Sequence, residues 1–373
     1  MQSQAQPNLV PLRFERELAC LRELSARVGS DPLLVQASNG NTSIKLEGIL
    51  WIKASGKWLA RANREEIFIP VDLAKAGEQT REIAKRPVSR NRMRPSIETA
   101  MHAVLPHRVV IHVHSINTIA WAIRLDGLDE LTAQLRGLHW QWIPYAASGI
   151  PLAREIEMAV ARAKNANVFI LANHGLVVCG RDCTAAEELL CEVERRLVIS
   201  PRSFPEADRA VLGNIARFSG WQYPDFDPLH ALGTDKETLK ILEGGVLYPC
   251  QAIFLGEMLV LPPRIFASRL TARVKRGERP PPFVVVERGG VMLNENMTSA
   301  ERANLIGLVE VIRRTKESAR VRYLTREEVE RVLNEGGRGY RDEAETESGA
   351  GSATTPPFDE EREAAFNHNT CFS

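Results

Sequence analysis

The sequence predicts an α/β fold with more than one folded unit. Short apolar segments bounded by turn residues, which are typical of strands, alternate with longer segments whose apolar residues recur at helical spacing. The stretch ISPRSFPEADR contains two prolines and separates two such regions. A chain of 373 residues also exceeds one typical domain. We therefore expect one α/β unit over residues 1–225, a smaller unit over residues 226–340, and a tail.

The first unit should begin with a helix and continue with short strands. Apolar residues at helical spacing predict a helix over about residues 13–28, and strands are predicted at TSIKL, ILWIKAS and EIFIPV. A helix near residues 96–105 precedes the apolar strand VVIHVH, and another covers residues 151–163. The strand NVFILAN and a helix over about residues 184–198 complete the unit.

The second unit is predicted as an accessory α/β lobe. Its strands are expected at QAIFLG and PFVVVE, and a helix begins within MTSAERANLIGLVEVIRR. Thr298 and Glu301 have the spacing of a capping box, which marks that helix start. Residues 341–373 contain eight acidic residues against two arginines, together with many Ser, Gly and Thr. We expect this acidic tail to be disordered, because it has too few apolar residues to offset the entropy of ordering.

Composition and charge narrow the range of partners. The net charge is +1, with acidic and basic residues interspersed, so neither a nucleic acid nor a membrane partner is predicted. No segment approaches the roughly 18 uninterrupted apolar residues of a spanning helix, and the N-terminus has no secretory pattern. The six cysteines form no C-x-x-C pair, which indicates reduced thiols. We expect a cytoplasmic protein.

Two histidines one residue apart raise the question of a metal site. His112 and His114 lie in the predicted strand, where alternate side chains share a face, so both imidazoles should emerge on the same side. Two histidines alone could equally be hydrogen-bonded core residues, and they are too few for a zinc site. The segment LANHGLVVCG supplies a third imidazole, His174, and RPSIETAMH places Glu98 in the first turn of a helix, where a carboxylate can also be a simple capping residue.

Two further loops could bind an anion. SNGNTS, at residues 38–43, and KASGK, at residues 53–57, are short, contain glycine and are rich in hydroxyl and amide groups. Such loops present backbone N–H groups to an anion, but they could also be plain hairpin turns, and neither is a P-loop. Lys45, Lys53 and Lys57 lie nearby and could balance a phosphate or be solvated strand residues.

Taken together and in this order, these motifs resemble the class II aldolase and adducin family. The matching elements, over roughly residues 12–200, are G-N-T-S, A-S-G, P-S-I-E, H-V-H, P-Y-A-A-S-G and N-H-G. The resemblance implies a three-layer αβα fold, with a central, mostly antiparallel sheet flanked by helices. The rest of the chain resembles the lobe that follows the aldolase region in longer members, including those fused to a dehydrogenase, although no dinucleotide-binding G-x-G-x-x-G is present.

The resemblance also implies site residues. His112, His114 and His174 would bind Zn²⁺ or another divalent metal, with Glu98 as the fourth ligand at rest and the acid/base during turnover. Tyr145 would donate a proton across a subunit boundary. The implied substrate- and phosphate-binding residues are Asn41, Thr42, Ser55, Gly56 and Ser96. The sequence departs from the family at Ile97, where a second serine is common, and at Thr42, where an aliphatic residue is usual.

The implied activity is that of a zinc-dependent aldolase. It would cleave a phosphorylated ketose, such as a deoxy-ketose 1-phosphate, to dihydroxyacetone phosphate and an aldehyde through a metal-bound enediolate. The resemblance also implies a homo-oligomer, with a tetramer as the expected form. A decarboxylase, epimerase or dehydratase of a sugar or sugar acid phosphate remains open, because these reactions begin at the same metal site. A stand-alone half of a bifunctional pathway and a non-catalytic, adducin-like module remain open as well. Adducins lack the metal histidines, so their presence here favours an enzyme.

Overall fold

The computed structural model describes residues 12–76, 93–256 and 258–349. Its helices, in chain order, are α1 Leu12–Ser30, α2 Thr99–Val104, α3 Ile116–Ala122, α4 Gly127–Gln134, α5 Ile150–Arg162, α6 Cys183–Leu197, α7 Arg209–Ser219, α8 Ala231–Thr234, α9 Lys236–Glu243, α10 Phe266–Lys275, α11 Ser299–Arg314, α12 Arg326–Val332 and α13 Arg338–Gly349. Its strands are β1 Asn41–Leu46, β2 Ile49–Lys53, β3 Phe68–Asp72, β4 Val109–Val113, β5 Trp140–Ile143, β6 Val168–Leu171, β7 Gly175–Gly180, β8 Trp221–Gln222, β9 Val260–Leu261, β10 Phe283–Val286 and β11 Gly290–Asn294. Single turns of other helix types occur at Leu59–Arg61, Leu73–Lys75, Asp227–His230, Gln251–Leu255, Pro263–Ile265 and Leu333–Gly337.

Seven strands form the central sheet, in the order β3-β2-β1-β4-β7-β6-β5. All neighbouring pairs are antiparallel except β5 and β6. In this register Asn41, the first residue of β1, lies opposite His112 in β4, and His112 lies opposite Val177 in β7. The central strands therefore bring distant parts of the sequence to one place.

Helices cover both faces of this sheet, which confirms the predicted three-layer fold. One face packs against α1 and α6, through residues such as Leu21 and Leu190. The opposite face packs against α2 and α5, through Met101 and Ile156. The predicted alternation in β4 is also observed: Val109, Ile111 and Val113 belong to the α1 and α6 side, and Val110 belongs to the other side.

A second, four-stranded sheet has the order β8-β11-β10-β9. Its first strand precedes residue 226, where the sequence predicts the accessory lobe to begin. The helix α11 begins with the predicted capping box, in which Thr298 and Glu301 each bond the other's backbone. The apolar side of α11 shares one core with α3, through contacts among residues such as Ile116, Ile119 and Leu305. Residues packed near the central sheet and residues packed near the second sheet therefore belong to one hydrophobic core.

Two expectations about the second region are corrected by the structure. The segment QAIFLG is not a strand, because Gln251–Leu255 form a single wide helical turn. A short apolar run fits a buried helix as well as a strand, and Phe254 is fully buried here. The acidic tail does not begin at Arg341, because residues 338–349 form α13, in which Ala344 is fully buried. Residues 350–373 of the predicted tail lie outside the described residues.

Among the described residues, no helix combines the length and the apolar character that a membrane span requires. The 19-residue helix α1 is long enough, but it contains several charged residues.

Candidate metal centre and adjoining cavity

Three histidines converge at one end of the central strands β4, β6 and β7. His112 lies in β4, His114 follows the end of that strand, and His174 lies in the tight turn between β6 and β7. All three side chains are buried, and their ring centroids are 4.9–5.0 Å apart in edge-to-face arrangements. One nitrogen of each ring lies within 4.8 Å of the others. The strand alternation and the turn thus bring the three predicted imidazoles together.

The donor atoms at this point fit a divalent cation. The Nδ1 of His112 lies 3.0 Å from the carbonyl oxygen of Leu176, which can only accept, so Nδ1 carries the hydrogen and Nε2 keeps its lone pair. That Nε2 faces His114 Nε2 at 3.2 Å and Glu98 Oε2 at 3.3 Å. Burial lowers the pKa of His112 to about 4 and that of His114 well below the usual range. Neutral imidazoles beside a carboxylate are donors that can bind a divalent metal.

Glu98 completes the cluster from the start of α2, at the N-cap position, with only 6% of its surface exposed. Its Oε1 lies 3.2 Å from His174 Nε2 and accepts a hydrogen bond from Ser148 Oγ at 3.2 Å, and its Oε2 accepts from Asn41 Nδ2 at 2.8 Å. Burial raises the pKa of this carboxyl, but the adjacent imidazoles of His112 and His174 hold the pKa well below its usual range. The side chain makes no capping bond to α2, so Glu98 is not a simple capping residue.

A buried network that the sequence analysis missed orients Asn41. The Nε2 of His102 contacts Asn41 Oδ1, and the Nδ1 of the same ring contacts Ser43 Oγ at 2.7 Å. Burial lowers the pKa of His102 to about 3, so the ring is neutral. His102 stands one helical turn after Glu98 in α2, and this spacing is the signal that could have identified it.

Four of the five predicted substrate- and phosphate-binding residues lie in or beside one cavity. Asn41, Ser55 and Ser96 line a cavity of about 110 Å³ that is also lined by Glu98, His114 and His174. Gly56 adopts φ +76 at the rim of the same region, where its lack of a side chain permits close packing. The cavity is also lined by residues that the sequence analysis did not assign to the site, namely Arg94, Ser148, Cys250, Arg331 and Tyr340.

Thr42 is a correction to the predicted site. Its side chain is fully buried, and its Oγ1 lies 2.6 Å from Ser25 Oγ in α1. Successive residues of β1 point to opposite faces of the sheet, so Asn41 faces the cavity and Thr42 faces the α1 layer. Thr42 is therefore not available to a ligand in the cavity.

Tyr145 lies apart from the cavity in this chain. Its ring packs beneath the guanidinium of Arg322, 4.9 Å from the ring centroid, and its hydroxyl is buried without a hydrogen-bond partner among the described residues. Burial raises the pKa of this phenol to about 12. Arg322 also donates to Asn173 Oδ1 at 3.3 Å, beside His174. The structure therefore does not bring Tyr145 to the histidines of its own chain.

Of the three lysines near the predicted anion loops, Lys53 lines the cavity. Its Nζ donates to the carbonyl oxygens of Ser38 at 2.5 Å and Lys57 at 2.7 Å. Burial lowers the pKa of Lys53 to about 7. Lys45 instead donates to backbone carbonyls near the end of α2, including that of His107 at 3.1 Å.

The second region of the chain closes one side of the site. The Sγ of Cys250 lies 3.4 Å from His114 Nδ1. The hydroxyl of Tyr340, in α13, accepts from Ser38 Oγ at 2.9 Å and donates to Asn39 Oδ1 at 3.3 Å. Neither contact could be read from the sequence, because each joins residues that are more than a hundred positions apart.

Comparison with known proteins matches the first half of the chain. Residues 22–200 match the family model described as Class II Aldolase and Adducin N-terminal domain. An L-fuculose phosphate aldolase of Methanococcus maripaludis is 26% identical over 159 residues, which cover 42% of this chain and 80% of that protein. A Bacillus subtilis protein named "Uncharacterized oxidoreductase YuxG" is 27% identical over 172 residues, which cover 41% of this chain but only 25% of that protein. The chain therefore spans about a quarter of the length of this longer relative.

Solved structures cover a similar part of the chain. The N-terminal class II aldolase domain of a conserved protein from Thermoplasma acidophilum has 23% sequence identity and a TM-score of 0.41. The superposition covers 52% of this chain and 98% of that one.

Proposed function

Because residues 22–200 match the model of the class II aldolase and adducin family, we propose that this chain is a divalent-metal-dependent aldolase. It cleaves a phosphorylated ketose, such as a deoxy-ketose 1-phosphate, to dihydroxyacetone phosphate and an aldehyde. The observation that carries this proposal is the convergence of three buried imidazoles with the ionised Glu98 at one end of a cavity. Neutral histidines with a carboxylate and an accessible side are what a catalytic zinc site needs.

His112, His114 and His174 would hold the ion, with Glu98 as a fourth ligand in the absence of substrate. Zinc is the first choice among divalent metals because the donor set is rich in imidazole. When bound, the ion supplies Lewis-acid polarisation of the substrate carbonyl and so stabilises the negative charge that bond cleavage leaves beside it.

Glu98 is placed to move a proton. Hydrogen bonds from Asn41 and Ser148 fix both carboxylate oxygens beside the histidines. When the C3–C4 bond breaks, its electron pair stays with C3, and that carbon must gain a proton to give dihydroxyacetone phosphate. We assign this transfer to Glu98: the carboxylate would first take up a proton from water and then pass it to C3, and a positioned acid/base of this kind typically contributes about 10²–10⁴-fold in rate.

The phosphate would lie at the hydroxyl-lined side of the cavity. Ser55 and Ser96 offer side-chain donors there, and Lys53 lies within the same lining. A phosphate at this position would hold the substrate so that its carbonyl reaches the histidine cluster.

The aldehyde side needs a second acid/base, and Tyr145 is proposed for it in a neighbouring subunit of a homo-oligomer. In condensation its phenol would donate a proton to the aldehyde oxygen, and in cleavage the phenolate left by that donation would take the proton of the C4 hydroxyl. In this chain the guanidinium of Arg322 lies over the ring of Tyr145 and the hydroxyl is buried, so this role requires the hydroxyl to become accessible when subunits associate.

A second candidate is a decarboxylase, epimerase or dehydratase of a sugar acid phosphate. One observation favours it: Arg94 beside the cavity already pairs with a carboxylate, that of Glu343. A guanidinium that binds one carboxylate could bind the carboxylate of a sugar acid.

The test is a screen of zinc-loaded protein against phosphorylated ketoses and sugar acid phosphates, with aldehyde and carbon dioxide measured in parallel. We expect aldehyde without carbon dioxide, and we expect Glu98→Gln, loaded with metal to the same extent, to be inactive. Carbon dioxide release would select the second candidate. Substrate consumed without aldehyde or carbon dioxide would select the epimerase or dehydratase of the second candidate. No consumption of any substrate, in protein whose metal content is confirmed, would contradict both candidates.

A further inference from the structure

A carboxylate of the chain itself occupies the predicted anion pocket. The side chain of Glu343, in α13, receives a hydrogen bond from Ser55 Oγ to Oε2 at 2.6 Å, and Arg94 Nε donates to its Oε1. Both partners are largely enclosed, with 14% of the Glu343 side chain and 22% of the Arg94 side chain exposed. A hydroxyl and a guanidinium that together hold one carboxylate form a site suited to an oxyanion.

The two loops that form this site are already fixed to each other. The backbone N–H of Ser55 donates to the carbonyl oxygen of Arg94 at 2.9 Å, next to an isolated bridge between Ala54 and Pro95. At Gly56 an added Cβ would lie 2.8 Å from Glu343 Cβ, so α13 packs directly onto the backbone of the loop. The site is therefore preformed, and Glu343 fills it closely.

The cavity behind this contact is too small for the proposed substrate. Its volume is about 110 Å³, whereas pockets that enclose small ligands measure roughly 300–1,000 Å³. Tyr340 and Gly336 form part of its wall. The side of the cavity that α13 covers must open before a sugar phosphate can enter.

The chain has a suitable hinge just before α13. Glu335 and Gly336 leave the helical conformation, and Gly336 has φ +117, which favours glycine. Beyond the hinge, α13 is also held by the ion pairs Arg341–Glu301 and Arg279–Glu345, by the fully buried Ala344, and by Tyr340, whose ring packs against Phe254. Opening must break these contacts as well as those of Glu343. Rotation at two residues would withdraw Glu343 without disturbing the central sheet.

We propose that Glu343 is an internal competitor for the substrate's phosphoryl group, and that Arg94 is the residue that exchanges one for the other. Binding of the phosphoryl group displaces the Glu343 carboxylate from Ser55 and Arg94, and α13 turns away at Gly336. Arg94 is therefore a specificity-determining residue. A ligand without an oxyanion cannot replace the Glu343 carboxylate, and the Arg94–Glu343 ion pair forms again. The choice of a phosphoryl group rests on the proposed function, but the exchange itself does not require turnover.

The test measures binding of inorganic phosphate to the full chain by calorimetry. Glu343→Gln removes the competing charge and should bind phosphate about tenfold more tightly than the wild type or more, as expected for the loss of a charged hydrogen-bonded competitor. The matched control is Glu345→Gln, which removes the same charge from the same helix where the carboxylate pairs with Arg341 instead. The double variant Arg94→Gln, Glu343→Gln should lose the gain.

Equal phosphate affinity in wild type, Glu343→Gln and Glu345→Gln would overturn the proposal. A gain in affinity for acetate without a gain for phosphate would overturn the phosphoryl assignment. A second measurement uses the wild-type chain alone: saturating phosphate should accelerate amide hydrogen exchange in residues 338–349 several-fold, and unchanged exchange would also overturn the proposal. Because neither readout depends on catalysis, an inactive enzyme that passes these tests would contradict the aldolase assignment only.

Discussion

Replacement of Glu98 by glutamine separates the proton-transfer role of this residue from its role in holding the site together. The two side chains have nearly the same size, and the amide oxygen can still accept from Asn41 Nδ2, which lies 2.8 Å from the carboxylate. The amide nitrogen would then face Ser148, whose hydroxyl can rotate to accept. The variant should therefore fold and keep its three imidazoles in place.

The expected loss comes from the missing acid/base. We expect the rate to fall by about 10²–10⁴-fold, which corresponds to roughly 2.7–5.5 kcal/mol in the activation free energy. Ser148→Ala is the matched control: it removes the Ser148 hydrogen bond, 3.2 Å long, but keeps the charge. Loss of one hydrogen bond to a charged group costs about 1.5 kcal/mol, or roughly tenfold in rate.

The assay is exchange of a carbon-bound proton of dihydroxyacetone phosphate with deuterated water, followed by NMR. This half-reaction needs neither the aldehyde nor its identity. Metal content is measured on the same samples so that only loaded protein is compared. If metal-loaded Glu98→Gln exchanges the proton within a few-fold of the wild-type rate, Glu98 has no part in proton transfer.

Three other predictions test the remaining parts of the site and the fold. His174→Ala should lose most of the divalent ion found in the wild type by elemental analysis, and full retention would contradict the ligand assignment. Truncation after Gly337 should lower the free energy of unfolding in urea by about 3–5 kcal/mol, because it removes α13 together with a buried aromatic ring. The control is truncation after Gly349, which keeps every described contact and should leave the free energy of unfolding unchanged. Equal stability of the two truncated chains would show that α13 contributes nothing. Tyr145→Phe should slow aldehyde release but not the proton exchange. Mixing Tyr145→Phe subunits with Glu98→Gln subunits should restore some activity, because some shared sites would then contain both intact residues. Equal loss of both steps, without rescue on mixing, would refute the shared site.

Local patterns were sufficient to predict elements of both units where one strand or one helical turn contains the whole signal. The alternation in VVIHVH predicted the faces of β4, because a strand's period of two needs no tertiary information. The spacing of Thr298 and Glu301 predicted the start of α11, because a capping box is formed within one helical turn. The helix Gln251–Leu255 was mistaken for a strand because its short apolar run has no distinguishing period.

Contacts between distant segments could not be predicted in this way. Arg94 and Glu343 are separated by most of the chain, and each reads as an ordinary surface charge in the sequence. The acidic composition around Glu343 indicated disorder, whereas the structure orders α13 with pairs such as Arg341 and Glu301. Thr42 was assigned to the pocket through the resemblance of G-N-T-S to the family, although adjacent strand residues face opposite ways.

The positions of the histidines in the sheet also link the ion to the folding equilibrium. His174 joins His112 and His114 only after β4 and β7 have paired, so the unfolded chain offers an ion no more than the two neighbouring imidazoles. An ion that binds the native state much more tightly than the denatured state stabilises it by mass action, by about 1.4 kcal/mol for each tenfold excess over its dissociation constant. Under the proposed function, depletion of free metal would therefore both stop turnover and shift the chain toward its denatured ensemble, where proteases act.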